Sequence, residues 1–259
     1  MNKPLAICTK AVKSGGAVIK RFFAKPTALA VRDDDTITSS VNVLSEKKML
    51  EAIHRGFSHH SIYSSEAGAV ENDPYDKWLI EPLDETVWMV RGVPWVGCAA
   101  AFERRSVLET AAVFLPMQNQ LFVAERGKGA TLNGKKIRVS KRGELEKSLI
   151  YFDDFRAFIR RNHVPQLELL IKRSQRSTSA PGKLAGLMAV AHGDVEAMVG
   201  SKISPATMAA ARLIIIEAGG QLTDYSGKPT HNLTNFIASN GALHEAVLSF
   251  FGRNNSMNL

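Results

Sequence analysis

The chain has only two cysteines, Cys8 and Cys98, far apart and each in an apolar setting. That pattern excludes a disulfide framework and reads as buried thiols of a reducing compartment. No run of about 18 apolar residues exists, so a membrane-spanning helix is excluded. The opening residues also lack the basic, apolar and small-residue succession of a signal peptide. A cytoplasmic protein with no membrane attachment is the expectation. Internal repeats and low-complexity tracts are absent, which removes solenoid and array architectures. Acidic residues are outnumbered, 25 Asp and Glu against 33 Lys and Arg, leaving a net charge of +8. The excess favours anionic partners, although charge of this kind also serves solubility alone. No basic stripe interleaved with aromatic residues marks a nucleic-acid-binding module.

What is present is an ordinary globular composition: 259 residues, 45% hydrophobic and 22% charged. That length allows one large or two packed domains. Apolar residues from Leu5 to Phe23 recur at helical spacing with lysines between them, which predicts an amphipathic helix. Gly15-Gly16 inside it costs about 1 kcal/mol per glycine relative to alanine, and so predicts close packing there. Pro26 and the acidic run Asp33-Asp34-Asp35 mark a loop. Thr38-Ser39-Ser40-Val41 opens a second helix through Ile53, its hydroxyls reading as an N-cap. His54, His59 and His60 follow without a cysteine or further ligand nearby, and read as solvated. Short β-rich runs over Trp95–Phe102, Val107–Leu115 and Leu121–Ala124 predict an antiparallel meander, with a further strand after the Asn133-Gly134 turn. Beyond Ser140, strands and helices alternate in the α/β manner. The expected division is residues 1–146, helices plus an antiparallel sheet, and 147–259, an α/β domain.

The stretch that stands out is Trp78-Leu79-Ile80-Glu81-Pro82-Leu83-Asp84-Glu85-Thr86. It reads as a buried strand that proline then ends, presenting three acids and a hydroxyl at its mouth. Acids converging on a turn suit a hard cation, because Mg²⁺ takes oxygen ligands in near-octahedral geometry. A solvated acidic turn is the plain alternative.

This stretch resembles the Asp-Pro-(Ile/Leu)-Asp-Gly-Thr motif of the inositol monophosphatase family. Gly127-Lys128-Gly129-Ala130-Thr131-Leu132-Asn133-Gly134 is similar to that family's glycine hairpin, and Glu217-Ala218-Gly219-Gly220 to its late helix terminus. The whole-chain likeness is greatest to the SuhB-like bacterial branch. The resemblance implies a layered α+β, α/β sandwich of the αβαβα sugar-phosphatase type. It also implies Mg²⁺-dependent hydrolysis of a phosphate monoester, and commonly a homodimer.

Carried over residue by residue, the resemblance puts Asp84 at the bridging aspartate, the Leu83 carbonyl at a backbone ligand, and Thr86 at the hydroxyl that orients water. Glu81 stands for the motif's first aspartate, and Glu66 is what remains of a Glu-Glu pair whose ligand-bearing member falls on Ser65. Thr207 replaces a ligating aspartate, and Val41 replaces an aspartate of the second helix start. Gly200 replaces a glutamate that contacts substrate hydroxyls. Glu85 takes the place of the motif's glycine, filling space meant for phosphate. Lys183 falls in the segment that meets the ligand, and could bind phosphate at a helix start.

Two carboxylate ligands are therefore replaced by hydroxyls, and changes near a metal typically cost roughly 10- to 100-fold in affinity or activity. At most one weakly held Mg²⁺ among Glu66, Glu81, Asp84 and Glu85 is expected. The leading expectation is a weak or inactive phosphatase that works by binding an anionic or protein partner. Lys135-Lys136-Ile137-Arg138, Lys141-Arg142 and Arg160-Arg161 are candidate contact clusters or plain solvated faces. By resemblance only, a transcription-machinery or RNA partner is implied. The alternative is an active Mg²⁺-dependent phosphomonoesterase acting on inositol phosphate or a related sugar or nucleotide phosphate through Glu66, Glu81, Asp84 and Thr86. A role mainly as a dimer subunit is the third.

Overall fold

The computed structural model describes residues 3–31, 37–229 and 234–252. The acidic run at 33–35 lies outside them. In chain order the first half reads α1 (Lys3–Phe22), β1 (Leu29–Val31), β2 (Ile37–Ser39), α2 (Ser40–His54), β3 (Ser61–Ser64), β4 (Gly68–Val70), β5 (Asp76–Asp84), α3 (Thr86–Val90), β6 (Gly97–Arg104), β7 (Val107–Leu115), β8 (Gln120–Glu125), β9 (Gly129–Leu132) and β10 (Lys135–Lys136). The second half reads β11 (Leu149–Phe152), α4 (Phe155–Arg160), α5 (Val164–Arg173), β12 (Arg176–Ser179), α6 (Lys183–His192), β13 (Ala197–Ser201), α7 (Pro205–Glu217), β14 (Gln221–Thr223), β15 (Asn235–Ser239) and α8 (His244–Phe251).

Strand alternation builds the layers, because successive side chains leave a strand on opposite faces. Cys98, Ala100 and Phe102 of β6 turn toward α1 and α2, where they share a core with Cys8, Val12, Met49 and Trp78. Ala99 and Ala101 turn the other way, into a core with Leu187 of α6 and Ile214 of α7 that also takes Met198 and Phe236 from the second sheet. The outer face of that second sheet packs Ile150, Val199 and Ile237 against Leu170 of α5 and Val247 of α8. The result is helix pair, eight-stranded sheet, helix pair, five-stranded sheet and helices. The sheets run β10-β9-β8-β7-β6-β5-β3-β4 and β12-β11-β13-β15-β14.

Three expectations change in detail. The strand at Trp78 does not stop at Pro82 but runs on to Asp84 through a bulge between Glu81 and Asp84. Proline is accommodated where the ladder is already broken. The large sheet is mixed, since β3 runs parallel to β5. His60 is not solvated: it stacks on Phe57 and accepts a hydrogen bond from Trp78 Nε1 at 3.1 Å.

The glycine pair of α1 does what its cost implied. A Cβ at Gly15 would lie 2.7 Å from Ser45 Oγ of α2, and one at Gly16 only 2.3 Å from the Phe114 ring. Both cysteines are free and buried. Burial pushes the Cys8 thiol up to about 12, so it is an inert packing group.

Candidate functional site

The acidic stretch opens into a cavity of about 610 Å³ at the meeting point of β5, the starts of α2, α6 and α7, and the β3–β4 turn. Glu66, Glu81, Leu83, Asp84, Glu85, Thr86, Lys183, Ser65 and Thr207 all line it. Val41 and Gly200 do not. Val41 points into the apolar core beneath α2, and the next residue, Asn42, reaches the cavity instead. At Gly200 a Cβ would sit 2.5 Å from the Phe236 ring, so the strand has room for glycine only.

Glu81 lies at the floor, 8% exposed, because its position in β5 turns it toward α7. Ser65 Oγ donates to Glu81 Oε1 at 2.6 Å, and Ser204 Oγ donates to Oε2 at 2.7 Å. Thr207 Oγ1 donates to the same Oε2 at 3.2 Å. Ser204 is the N-cap of α7, its Oγ accepting the Thr207 N–H at 3.1 Å. Burial pushes the Glu81 carboxyl up to about 7, with the Ser204 and Ser65 hydroxyls pulling it down and the Asp84 charge pushing it up.

The other two acids of the stretch turn to the start of α6. Asp84 Oδ2 accepts the Leu184 N–H at 2.9 Å. Glu85, in a left-handed conformation (φ 64°), accepts the Lys183 N–H and lies against Gly182. The first N–H groups of a helix form a ready anion site, and here the chain's own carboxylates take two of them. Burial and the adjoining Asp84 push Glu85 up to about 8. Burial also raises Asp84, against the Leu184 N–H and the Lys183 ammonium.

The Lys183 ammonium folds back to Asp153 Oδ2 at 3.2 Å. Burial opposes its charge, but Asp153, Asp84 and Glu85 together hold its pKa above the usual lysine value. Thr86 is held by Asn42, whose Nδ2 donates to Thr86 Oγ1 at 3.0 Å. Asn42 Oδ1 in turn accepts from Ser39 N at 3.1 Å and Ser39 Oγ at 2.8 Å in a capping box at the start of α2. Glu66 accepts a hydrogen bond from Thr38 Oγ1. Among the described residues no three His, Cys, Asp or Glu side chains gather in a cage suited to a cation.

Three contributors escaped the sequence reading. Ser204 carried a signal, serine before proline at a helix start. Asp153 lies directly beyond β11 and carried no motif of its own. Asn42 could not be told from Val41 without the helix's orientation.

The mixed-sheet sandwich thus presents an acidic strand mouth to the starts of two helices. The comparisons make the family specific. The family model "Inositol monophosphatase family" matches residues 2–255, and the chain belongs to that family. The Nus factor SuhB of Escherichia coli K12 is 29% identical over 260 residues, covering 96% of each chain. Among solved structures, the Thermotoga maritima IMPase TM1415 superposes with a TM-score of 0.87 at 26% identity, over 95% of this chain and 96% of that one. An IMPase/NADP phosphatase complexed with Mg²⁺ and phosphate shares the fold at a TM-score of 0.82 and 21% identity, over 94% and 92%. Members of the family are typically Mg²⁺-dependent. No described helix is long and apolar enough to cross a membrane.

Proposed function

We propose that this chain is a partner-binding member of its family whose phosphatase site has been internally compensated and turns over weakly or not at all. The observation that carries the reading is the capping of both Glu81 oxygens by hydroxyl donors. Two of those donors, Ser65 and Thr207, stand where the family resemblance places carboxylate ligands. In an active member, bound cations supply an activated water and neutralise charge on the leaving oxygen. Here that neutralisation is done by hydroxyl dipoles at Glu81, by Lys183 at Asp153, and by the α6 N–H groups at Asp84 and Glu85. A donor set already satisfied by its own protein does not fit a two-cation cage. One weakly held Mg²⁺ among Glu66, Asp84 and Glu85 is the most it accommodates, because octahedral Mg²⁺ tolerates misplaced ligands poorly.

The partner reading rests on the Nus factor relatives. A component of the transcription machinery is the partner proposed, with a homodimer in a cytoplasmic setting as the assembly. The competing reading, turnover of a small phosphate ester, draws on Asp84, Thr86 and Asn42 still lining a cavity of about 610 Å³.

Phosphate release from a panel of inositol, sugar and nucleotide monoesters, with Mg²⁺ or Mn²⁺ present, separates the two. The expected result is a rate indistinguishable from that of Asp84→Asn. Turnover of about 1 s⁻¹ or more that vanishes in Asp84→Asn establishes the phosphatase instead.

A further inference from the structure

At the start of α8 a histidine is sealed inside the fold. His244 is 1% exposed and sits between two hydroxyls of the second sheet. Thr223 Oγ1 of β14 donates to the Asp224 carbonyl at 2.9 Å, so in its contact with His244 Nε2, also at 2.9 Å, the ring N–H donates. Nδ1 of that neutral tautomer accepts from Ser239 Oγ of β15 at 2.8 Å, and Ser239 Oγ accepts the Gly241 N–H at 3.3 Å. Each hydroxyl and each ring nitrogen thus has its partner while the ring is neutral. A second ring proton would point at the Ser239 oxygen and turn that hydroxyl's hydrogen out of its bond, at a position removed from water.

The surroundings also disfavour a charged ring. His244 is the first residue of α8, where the N-terminal end of the helix dipole repels a cation. Burial lowers its pKa below the ordinary 6.5, and Glu245 pulls the other way from an exposed position. β14, β15 and the turn at 240–243 carry no charged side chain, while Asp224 beyond β14 spends its Oδ1 on the Ser226 and Lys228 N–H groups. The segment that touches the turn brings Lys141 and Arg142, both exposed. On α5, Glu168 pairs with Lys172 and Arg173 with Glu146.

The other end of α8 meets a second histidine. Phe251, in its last turn, packs edge-on to the His163 ring with centroids 6.2 Å apart, and Tyr225 lies 5.3 Å from His163 and 4.6 Å from Phe251. His163 is the N-cap of α5, again a helix start. Burial lowers its pKa and so does Arg161, and no carboxylate stands between Phe155 and Leu167 in the sequence.

We infer that α8 is an acid-released flap: protonation of His244 at one end and His163 at the other undocks it and bares the apolar outer face of the second sheet. Side chains hold it there, His244 in the hydroxyl pair and Val247 and Phe251 over Leu170 and Ile237, so undocking breaks no strand pairing. The sign follows from proton linkage. Both rings bind a proton more weakly when α8 is docked than when it is released. Docking is therefore undiminished above the ordinary value of 6.5 and weakens as pH falls below it, by up to about tenfold per pH unit for each histidine. Neither histidine lines the Glu81 cavity, and the flap works alike whether or not that cavity turns over phosphate esters.

The test is hydrogen exchange of the full chain, read by mass spectrometry at about pH 7.5 and about pH 5.5 and corrected for the intrinsic rate at each. Protection of residues 244–251 is expected to fall by about tenfold or more relative to α1, which holds no histidine. His244→Gln keeps one donor and one acceptor without gaining charge and should remove part of that fall, and His244→Gln/His163→Gln should remove all of it. Ring titration by NMR in the unaltered chain covers the case of a variant that does not fold, and both rings are expected to titrate below 6.5. Equal losses of protection in α1 and α8, a fall that survives in the double variant, or either ring titrating at or above 6.5 in the docked chain would each overturn the inference.

Discussion

At each end of α7 a glutamate carboxylate is tied down, and the two ties differ in kind. At the C-terminal end Glu217 accepts the Gly127 N–H at 2.7 Å and the Gly129 N–H at 2.8 Å, clamping the glycine hairpin. At the N-terminal end Glu81 is held by three side-chain hydroxyls and is buried among them. Backbone donors are supplied by the fold itself and survive substitution of the residues that bear them. Hydroxyl donors depend on side-chain identity, and can change place with carboxylate ligands while the helix stays put. The helix thus carries a backbone clamp at one end and a site built on side-chain identity at the other, the end proposed to be rewritten. Fold and chemistry separate along a single element.

The comparison is sharpened most by rebuilding the rewritten end. Ser65→Glu/Thr207→Asp places two more carboxylates against Glu81, and like charges in a buried site repel strongly. Urea denaturation in chelator is expected to show a loss of about 3 kcal/mol or more, partly recovered by millimolar Mg²⁺. A loss that Mg²⁺ leaves untouched would mean that these positions no longer form a cation cage.

Next in size is Glu81→Gln, with the opposite sign. The folded site holds the Glu81 proton until about pH 7, against an ordinary value of 4.5. Between those values the folded state binds more protons than the unfolded chain, so stability falls as pH rises, and the penalty is complete above about 7. Glu81→Gln is therefore expected to stabilise the chain at pH 8 by roughly 2–3 kcal/mol and to have little effect at pH 4. Equal effects at the two pH values contradict the assignment.

Glu217→Ala at the clamped end should instead destabilise by about 1–2 kcal/mol, leaving two hairpin N–H groups without their acceptor. Faster hydrogen exchange at Gly127 and Gly129 reads that out directly. The smallest change is Ser204→Ala, which removes an N-cap and one Glu81 donor at a cost of about 1 kcal/mol. Its Glu81 titration should move upward as that donor is lost, a shift that loss of the cap alone would not produce.

Much of the scaffold was legible because it is written in repeated patterns. The spacing of Leu5, Cys8, Ala11 and Val12 placed α1 on its apolar face, and the Gly15-Gly16 pair announced the close crossing with α2. Elements that lean on tertiary partners were harder to read. Arg176–Ser179 has no apolar alternation because it is an exposed edge strand beside β11. Asn235–Ser239 is short and buried, and becomes a strand by pairing with β13 and β14. At the site, Glu66, Glu81, Asp84, Thr86 and Lys183 were named from the chain and line one cavity. What no residue pattern could supply was orientation: that the Lys183 ammonium turns to Asp153, that Asp84 and Glu85 turn to the start of α6, and that Asn42 rather than Val41 faces Thr86.

The account stands or falls on cations at Asp84. Anomalous diffraction from crystals of the intact chain soaked in Mn²⁺ counts them without reference to activity. The expected map shows no peak, or one weak one, with Ser65, Ser204 and Thr207 still bonded to Glu81. Two strong peaks sharing Asp84, with those hydroxyls displaced from Glu81, would contradict it.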